Sequence, residues 1–334
     1  MKTLLDRVAK LTPELRTIFD RIYQVTVENV EVVLPPAVQA RFGTGLAHQE
    51  ITTIKNLILG QQTVFSPTRA QRPEPPTTSE IAPPDPFDTP LETAPSDSFG
   101  RLENDGAFTA NNLFKAAPYH SLIVLKPHDP QQLSQKDIHS GLELATQWFT
   151  KAKTIKPALD CGLLIWNYLG RAGASITHPH FQVFALSALP PRLALERTLT
   201  KRYQTEHGSN YIEDTYAIHE ALGLARRVDN IRLFVRLTPF KDREVMLFGF
   251  LGERLSDNEA TVAKILNAYR QLTESFDALL LSETHGALPL GFVIDRGSLS
   301  RKNSDIGSLE LYAFSVVAFD PFDFAAQLFS ALGA

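Results

Sequence analysis

Apolar residues near the start of the chain recur at helical spacing. Between residues 3 and 33 they fall every three or four positions, which places them along one face of a helix. The residues of this face are Leu4, Leu5, Val8, Leu11, Leu15, Ile18, Phe19, Ile22 and Tyr23. We therefore predict a helical N-terminal extension over residues 1–50, with an apolar face that offers a surface to a partner.

After residue 50, short apolar runs alternate with helical patterns. A helix is predicted over residues 134–153, where Ser134 is suited to cap the first turn and apolar residues follow at helical spacing. Apolar runs bounded by turn-forming residues predict buried strands. These strands cover residues 54–65, 121–125, 161–168 and 181–186.

The chain from about residue 191 repeats this order of elements. The patterns predict helices up to about residue 202, over 216–227 and over 256–280. They predict strands over residues 231–237, 244–250, 291–295 and 309–319. We infer two halves, residues 51–190 and 191–334, although no repeat of individual residues supports a duplication.

One proline-rich segment interrupts the first half. Residues 73–99 contain eight of the 22 prolines, separated by serine, threonine and acidic residues. Such a segment has too few apolar side chains to bury itself. We predict that it forms a long loop.

Composition narrows the classes of function. The chain has 334 residues and a net charge of −4, which gives no electrostatic reason to bind nucleic acid or an anionic membrane. A single cysteine, Cys161, excludes an intrachain disulfide and a cysteine-rich zinc site. No apolar run reaches the roughly 20 residues of a membrane span. The first residues lack the apolar core of a signal peptide, so we expect a cytoplasmic protein.

The segment 167–182 carries the strongest chemical signal. It combines a loop of small residues with the sequence Thr177-His178-Pro179-His180-Phe181-Gln182, here called the histidine motif. In extended chain His178, His180 and Gln182 point to one side, because side chains alternate along a strand. Small residues let the backbone approach a ligand, and outward amides in such a turn can bind phosphate oxygens.

An imidazole next to a phosphate-binding loop suggests nucleophilic catalysis. Its ordinary pKa of about 6.5 makes it a competent nucleophile at neutral pH. Attack by His180 on the α-phosphorus of a nucleotide would form a phosphoramidate and divide one difficult transfer into two easier steps. Alternatively, His178 and His180 are ordinary strand residues or a pair of metal ligands.

The histidine motif resembles that of the galactose-1-phosphate uridylyltransferases of the histidine-triad (HIT) superfamily. The resemblance extends to residues 65–73, 110–114 and 235–248, and covers roughly residues 55–325. It implies an α+β fold of two half-barrel, antiparallel-sheet halves with packed helices. It also implies a homodimer that binds a nucleotide or nucleotide-sugar and a phosphorylated small-molecule acceptor.

The resemblance assigns roles to individual residues. His180 would be the nucleophile, Gln182 would hold the phosphate of the intermediate, and Ser175 and His178 would complete the catalytic group. Binding of the base, ribose or phosphates would fall to Arg69, Arg72, Asn111, Asn112, Asn167, Gly173 and Ala174.

A metal site of the family is altered in this chain. Many relatives hold zinc with two cysteines, a later histidine and the first histidine of the motif. Here Asp85 and Asp88 stand at the cysteine positions, with His128 and His178 as the other candidate ligands. These four side chains could hold a divalent metal such as zinc. The alternative is a proline-rich loop with scattered acidic residues.

The family's second metal site and its residues that contact the hexose are also missing. A second metal-binding His-x-His has no match in residues 288–293, and the expected Lys and Glu have no clean match in residues 307–312. The main hypothesis is therefore a uridylyltransferase-like nucleotidyltransferase. The alternatives are a phosphorylase or hydrolase of dinucleoside polyphosphates or nucleoside diphosphate sugars, and a nucleotide-binding protein without activity. A further alternative is a metal-dependent hydrolase with ligands from His120, His128, His178 and His180.

Overall fold

The computed structural model describes residues 2–31, 48–65, 87, 95–112, 116–249, 254–283, 288–301 and 304–333. The helices in these ranges are α1 Lys2–Val8, α2 Pro13–Ile22, α3 Gln135–Ile155, α4 Pro191–His207, α5 Tyr211–Leu222, α6 Glu259–Leu272, α7 Ser308–Tyr312 and α8 Pro321–Ala331. The strands of the first half are β1 Tyr23–Glu31, β2 His48–Asn56, β3 Gln61–Phe65, β4 Ala107–Asn111, β5 Tyr119–Leu125, β6 Cys161–Tyr168 and β7 His180–Leu186. Those of the second half are β8 Ala225–Val228, β9 Ile231–Val235, β10 Val245–Phe248, β11 Phe276–Leu281, β12 Gly291–Asp295 and β13 Ser315–Val317.

Strands of both halves form one nine-stranded sheet in the order β4-β5-β7-β6-β11-β12-β10-β9-β8. Its described strand pairs are all antiparallel. The halves meet where β6 pairs with β11, from Tyr168 opposite Phe276 to Leu163 opposite Leu281. The predicted α+β class with antiparallel-sheet halves is confirmed, and the two halves share a continuous sheet.

Helices α3, α6 and α8 pack on one face of this sheet, here called the helix face. The side chain of Ser134 caps α3 in a reciprocal capping box with Asp137. Apolar residues of α3, including the fully buried Leu144 and Trp148, then meet strand residues such as Phe181. The opposite face carries His180 and is here called the motif face. In the second half it is covered by α5, whose His219 packs against Phe234 of β9.

A second sheet, in the order β1-β2-β3-β13, includes residues that we predicted to be helical. The predicted helix over residues 3–33 ends at Ile22, and residues 23–31 form β1. The reason is the alternation of apolar and polar residues from Tyr23 onwards, including β-branched Val25, Thr26 and Val27, which suits a strand. Nine residues of β1 pair with β2, and this pairing satisfies the backbone groups that a helix would have bonded internally.

Four other predicted elements are wrong in extent. The helix predicted over residues 216–227 begins at Tyr211 and ends at Leu222, and residues 225–228 form β8. The helix predicted over residues 256–280 ends at Leu272, and residues 276–281 form β11, which is buried between β6 and β12. The strand predicted over 309–319 is the short helix α7 followed by β13. The strand predicted over 54–65 is divided by a turn at residues 57–60, where Gly60 has a φ of 66°. The apolar run at residues 276–281 fits both a helix and a strand, and pairing with β6 and β12 decides between them.

Within the described residues, the helices are too short or too polar to span a membrane.

Gly141 allows α3 to lie close to the sheet, and Gly141→Ala should destabilise the fold. An added Cβ would lie 2.5 Å from Leu125 Cδ2 and 2.6 Å from Phe181 Cε2, two fully buried side chains. Overpacking costs about 1–3 kcal/mol, while the gain in helix propensity is at most about 1 kcal/mol. Urea unfolding should show a net loss of about 1–2 kcal/mol. Thr150→Ala, an exposed change on the same helix, should cause no loss; equal stability of both variants would contradict the close approach.

Burial of His219 should make stability depend on pH. His219 is fully buried, and its Nδ1–H donates to the carbonyl of Thr215 at 2.7 Å. Burial lowers the pKa of His219 to about 4. An unfolded histidine titrates near pH 6.5, so its contribution is fully present above that pH and is lost as the pH falls towards 4.

The expected loss at pH 5 is about 2 kcal/mol relative to pH 8. Urea unfolding of the protein and of His219→Leu across this range would measure it. The variant should lose this part of the pH dependence, whatever its absolute stability. An unchanged dependence would contradict a buried neutral histidine.

Candidate active site

Strand pairing places the polar residues of the histidine motif together on the motif face. Gln182 of β7 lies opposite Leu122 of β5 and Ile165 of β6. His180 is two residues away on the same strand and therefore points the same way. Phe184, the next residue on this side, lies opposite His120. The predicted alignment of His180 and Gln182 on one face is thus present.

A backbone carbonyl fixes the ring of His180. This side chain is 8% exposed, and its Nδ1 lies 2.9 Å from the carbonyl oxygen of His178. A carbonyl oxygen can only accept a hydrogen bond, so Nδ1 carries the proton and Nε2 of the neutral ring carries the lone pair. His180 is held in the tautomer that an Nε2 nucleophile requires.

His120 joins two of the predicted site residues. Its Nε2 lies 3.1 Å from Gln182 Oε1 and 3.1 Å from Asn112 Nδ2. Its Nδ1 lies 3.1 Å from the backbone nitrogen of Ala116, and its ring stacks on Phe184 with centroids 4.0 Å apart. Gln182 and Asn112 are therefore linked through a histidine that we considered only as a metal ligand.

The small-residue loop before the histidine motif forms hydrogen bonds between its own backbone groups. Residues 170–172 form a 3₁₀ turn, flanked by Leu169 and Gly173 with φ values of 71° and 92°. The amides of residues 172–174 donate to the carbonyls of Leu169 and Gly170 at 3.0–3.3 Å. Gly173 and Ala174 therefore do not offer the outward amides that we predicted, because those groups are used within the turn.

Residues of the second half anchor this loop. Arg171 donates from Nε to the carbonyl of Arg296 at 3.1 Å and from Nη1 to that of Arg301 at 3.2 Å. Arg296 in turn bonds the carboxylates of Asp305 and Asp277. Both halves of the chain therefore fix the turn that leads to His180.

Asn111 and Asn112 face opposite sides of the sheet. Asn111 pairs with Ser121, which points to the helix face. The Asn111 amide donates to the carboxylate of Asp97 at 2.7 Å, and the same carboxylate accepts bonds from Ser121 and Trp148. The Asn111 side chain consequently does not join His180 and Gln182, whereas Asn112 does so through His120.

His178 precedes β7 and lies beside a second histidine. Its Nε2 lies 2.7 Å from the carbonyl oxygen of Leu125, so Nε2 carries the proton and Nδ1 has the lone pair. The rings of His128 and His178 are 5.1 Å apart, and Phe87 packs against His178 and His180 at 5.5 and 5.9 Å. Two of the predicted metal ligands are therefore adjacent.

The two predicted carboxylate ligands of the metal, Asp85 and Asp88, lie outside the described residues. Phe87, between them in sequence, lies against the motif, and two neighbouring imidazoles fit part of a zinc site. A separate group with metal-ligating chemistry lies between α3 and α6, with ligand atoms within 4.8 Å of one another. It consists of His139, Glu143 and Glu259.

The other predicted binding residues occupy varied positions. Asn167 lies on the motif face, two residues from Ile165 on β6 and opposite Asp277 of β11. Ser175 is exposed in the segment between the loop and the motif. Arg69 and Arg72 lie outside the described residues, so their roles stay predictions.

Three residues that shape the site were not predicted to do so from the sequence: His120, Asp97 and Arg171. They hold side chains that lie 14 to 134 positions away in the chain, and no local motif marks them. His120 alone carried a signal, because it directly precedes the strand predicted over residues 121–125, and extending that strand by one residue gives His120 the alternation that faces Gln182. The register between β5 and β7 was needed to use that signal.

Comparisons with known proteins agree on the fold. No protein-family model matches the chain, and no curated protein matches it significantly. An ADP-glucose phosphorylase from Arabidopsis thaliana, solved with bound ADP-glucose, is 16% identical with a TM-score of 0.63; the match covers 83% of this chain and 98% of that one. A uridylyltransferase is 17% identical with a TM-score of 0.57, covering 83% and 97%. These matches confirm the fold expected from the uridylyltransferase-like resemblance.

Removal of the Asp97 carboxylate should destabilise the strand that carries Asn111. Asp97→Ala leaves three donors unpaired, on Asn111, Ser121 and Trp148. We expect urea unfolding to show a loss of about 2–4 kcal/mol, because an unsatisfied buried donor costs about 1–3 kcal/mol. Ser121→Ala removes one of the three bonds and should cost about 1 kcal/mol. Equal, small losses in both variants would contradict a central role for Asp97.

Proposed function

We propose that this protein is a nucleotidyltransferase that forms a covalent nucleotidyl-histidine at Nε2 of His180. The observation that carries the proposal is the 2.9 Å contact between His180 Nδ1 and the carbonyl of His178. It leaves Nε2 unprotonated on the motif face, next to Gln182. The similarity in fold and the resemblance of the histidine motif support a nucleotide or nucleotide-sugar as the donor.

In the first step the lone pair of His180 Nε2 attacks the α-phosphorus of the donor. A phosphorus–nitrogen bond forms, the bond to the bridging oxygen breaks, and a sugar phosphate or nucleotide leaves. Gln182 donates to a non-bridging oxygen as charge develops there. Arg69 and Arg72 would neutralise the phosphates with paired donors, and Ser175 and Asn167 would position them.

In the second step an acceptor oxygen attacks the same phosphorus; a phosphate oxygen attacks as the anion, and an attacking water releases its proton to the solvent. The bond to Nε2 breaks, its electron pair returns to the ring, and His180 regains its starting tautomer. The bond from Nδ1–H to the His178 carbonyl is kept throughout, so the ring needs no rotation between the steps. This division into two steps is the benefit of a covalent intermediate.

The first candidate acceptor is a hexose 1-phosphate, as in the galactose-1-phosphate uridylyltransferases. The second is phosphate or water, which would make the protein a phosphorylase or hydrolase of dinucleoside polyphosphates or nucleoside diphosphate sugars. One observation favours the second. Glu310, the only acidic residue in the segment 307–312, is 7% exposed, and its carboxylate accepts the amide of Gly307 at 2.9 Å. This carboxylate therefore caps the first turn of α7 and is not exposed to bind a hexose.

We also propose that a divalent metal binds beside the motif. His128 and Nδ1 of His178 would supply the nitrogen ligands, and Asp85 and Asp88 the oxygen ligands. When bound, the ion would have a structural role, tying the proline-rich segment to the start of β7. The two reaction steps at His180 require only groups of the chain.

Incubation with a suitable donor should add one nucleotidyl group to the protein. Intact-protein mass spectrometry after mixing with UDP-glucose, ADP-glucose or diadenosine tetraphosphate would detect it and distinguish UMP from AMP. The adduct should be labile to acid, as expected of a phosphorus–nitrogen bond. Addition of glucose 1-phosphate, phosphate or buffer alone to the isolated adduct would then identify the acceptor by the rate of discharge.

The matched control is a histidine away from the motif face. His139→Ala should retain the adduct, and His180→Ala should abolish it. An adduct that persists in His180→Ala would assign the chemistry to another residue. Failure of all three donors to label the unaltered protein would contradict the covalent mechanism.

A further inference from the structure

The contacts of His120 point to a residue that controls the orientation of Gln182. We propose that His120 is a positioning residue that decides which end of the Gln182 amide faces the reacting phosphate. The inference deepens the proposed function and rests on it. His120 is 2% exposed in β5, and its ring is held parallel to Phe184 with an interplanar angle of 19°.

The backbone determines which nitrogen of His120 carries the proton. The amide N–H of Ala116 points to Nδ1 at a nitrogen–nitrogen distance of 3.1 Å. An amide can only donate, so Nδ1 must accept and carries no proton. In the neutral ring the proton is therefore on Nε2, the nitrogen that faces Gln182.

This proton fixes the amide of Gln182. Nε2–H of His120 donates to Gln182 Oε1 at 3.1 Å. With the oxygen end bound to His120, the NH₂ end is left for other partners, and no described residue accepts a hydrogen bond from it. The reverse orientation would place NH₂ against N–H, two donors with no acceptor between them.

Asn112 is compatible with the same proton position. Its amide lies 3.1 Å from His120 Nε2. The oxygen and nitrogen of an amide are exchangeable by rotation, and with its oxygen towards the ring Asn112 shares the Nε2 proton with Gln182. The amide oxygens of Gln182 and Asn112 then accept from the same proton.

The orientation of the Gln182 amide affects catalysis through the negative charge of the phosphate. A phosphate oxygen is negative, so the NH₂ end of Gln182 attracts it and the oxygen end repels it. The NH₂ end also stabilises the additional charge that develops when Nε2 of His180 attacks. By holding the oxygen end, His120 keeps the donor available before the substrate arrives and removes the need to reorient it during the reaction.

Two substitutions separate the hydrogen bond from the packing. His120→Phe keeps a ring to stack on Phe184 but has no N–H. His120→Gln loses the ring but can place an N–H near the position of Nε2. We expect the single-turnover rate of nucleotidyl transfer to fall about tenfold or more in His120→Phe, the effect of one hydrogen bond to a charged oxygen. His120→Gln should recover most of that rate.

The decisive comparison adds Gln182→Ala. If His120 acts through Gln182, His120→Phe should slow the reaction no further once the Gln182 amide is gone. The affinity for AMP and UMP, measured by calorimetry in the same four proteins, should show the same non-additivity without any turnover. Urea unfolding of each variant would confirm that the compared proteins are folded.

The outcomes separate this inference from the proposed function. Equal rates and affinities in His120→Phe and the unaltered protein, or additive losses with Gln182→Ala, would overturn the positioning role. Absence of a covalent adduct in the unaltered protein would overturn the proposed mechanism instead. In that case the nucleotide affinities still decide the role of His120, because additive losses overturn it and non-additive losses support it.

Discussion

In the large sheet β7 lies between β5 and β6, and its register there determines the site. Phe181 and Val183 are fully buried on the helix face, while His180 and Gln182 point to the motif face. A shift of one residue would exchange the two sets, placing polar groups against α3 and apolar rings in the site. The close approach of α3 at Gly141 favours this register, because Phe181 fills the space beside the glycine.

Backbone groups determine which ring nitrogen is protonated in the two histidines of the motif face, His180 and His120. The carbonyl of His178 holds the proton of His180 on Nδ1, and the amide of Ala116 holds that of His120 on Nε2. The first leaves a lone pair on His180 Nε2 for the proposed attack, and the second leaves the NH₂ group of Gln182 for the phosphate of the proposed substrate. Since both backbone groups belong to segments positioned by β5 and β7, the chemistry is set by the same pairing that forms the sheet.

The sequence predicted features that depend on local order. The strand over residues 161–168 has the predicted limits, and the spacing of His180 and Gln182 was sufficient to place them on one face. The patterns predict helix over residues 23–31 and 276–280, because an apolar run does not reveal a distant strand that will pair with it. The site shows the same division, because a local motif marks His180, the residue that we propose as the nucleophile.

Other features required the tertiary structure. The roles of His120 and Asp97 depend on strand register and on a loop that returns to the sheet. The opposite directions of Asn111 and Asn112 follow from where β4 ends, which the sequence did not fix to a single residue. The outward amides expected of Gly173 and Ala174 depend on the dihedral angles of a turn, and the sequence shows only that small residues are present.

His180 and His120 carry their protons on different ring nitrogens. Long-range ¹H–¹⁵N correlation spectra of the protein labelled with ¹⁵N-histidine would test this directly, with His180→Ala and His120→Phe to assign the signals. We expect a protonated Nδ1 and an unprotonated Nε2 for His180, and the reverse for His120. A proton on Nε2 of His180 would remove the lone pair of the proposed nucleophile and contradict the proposed mechanism.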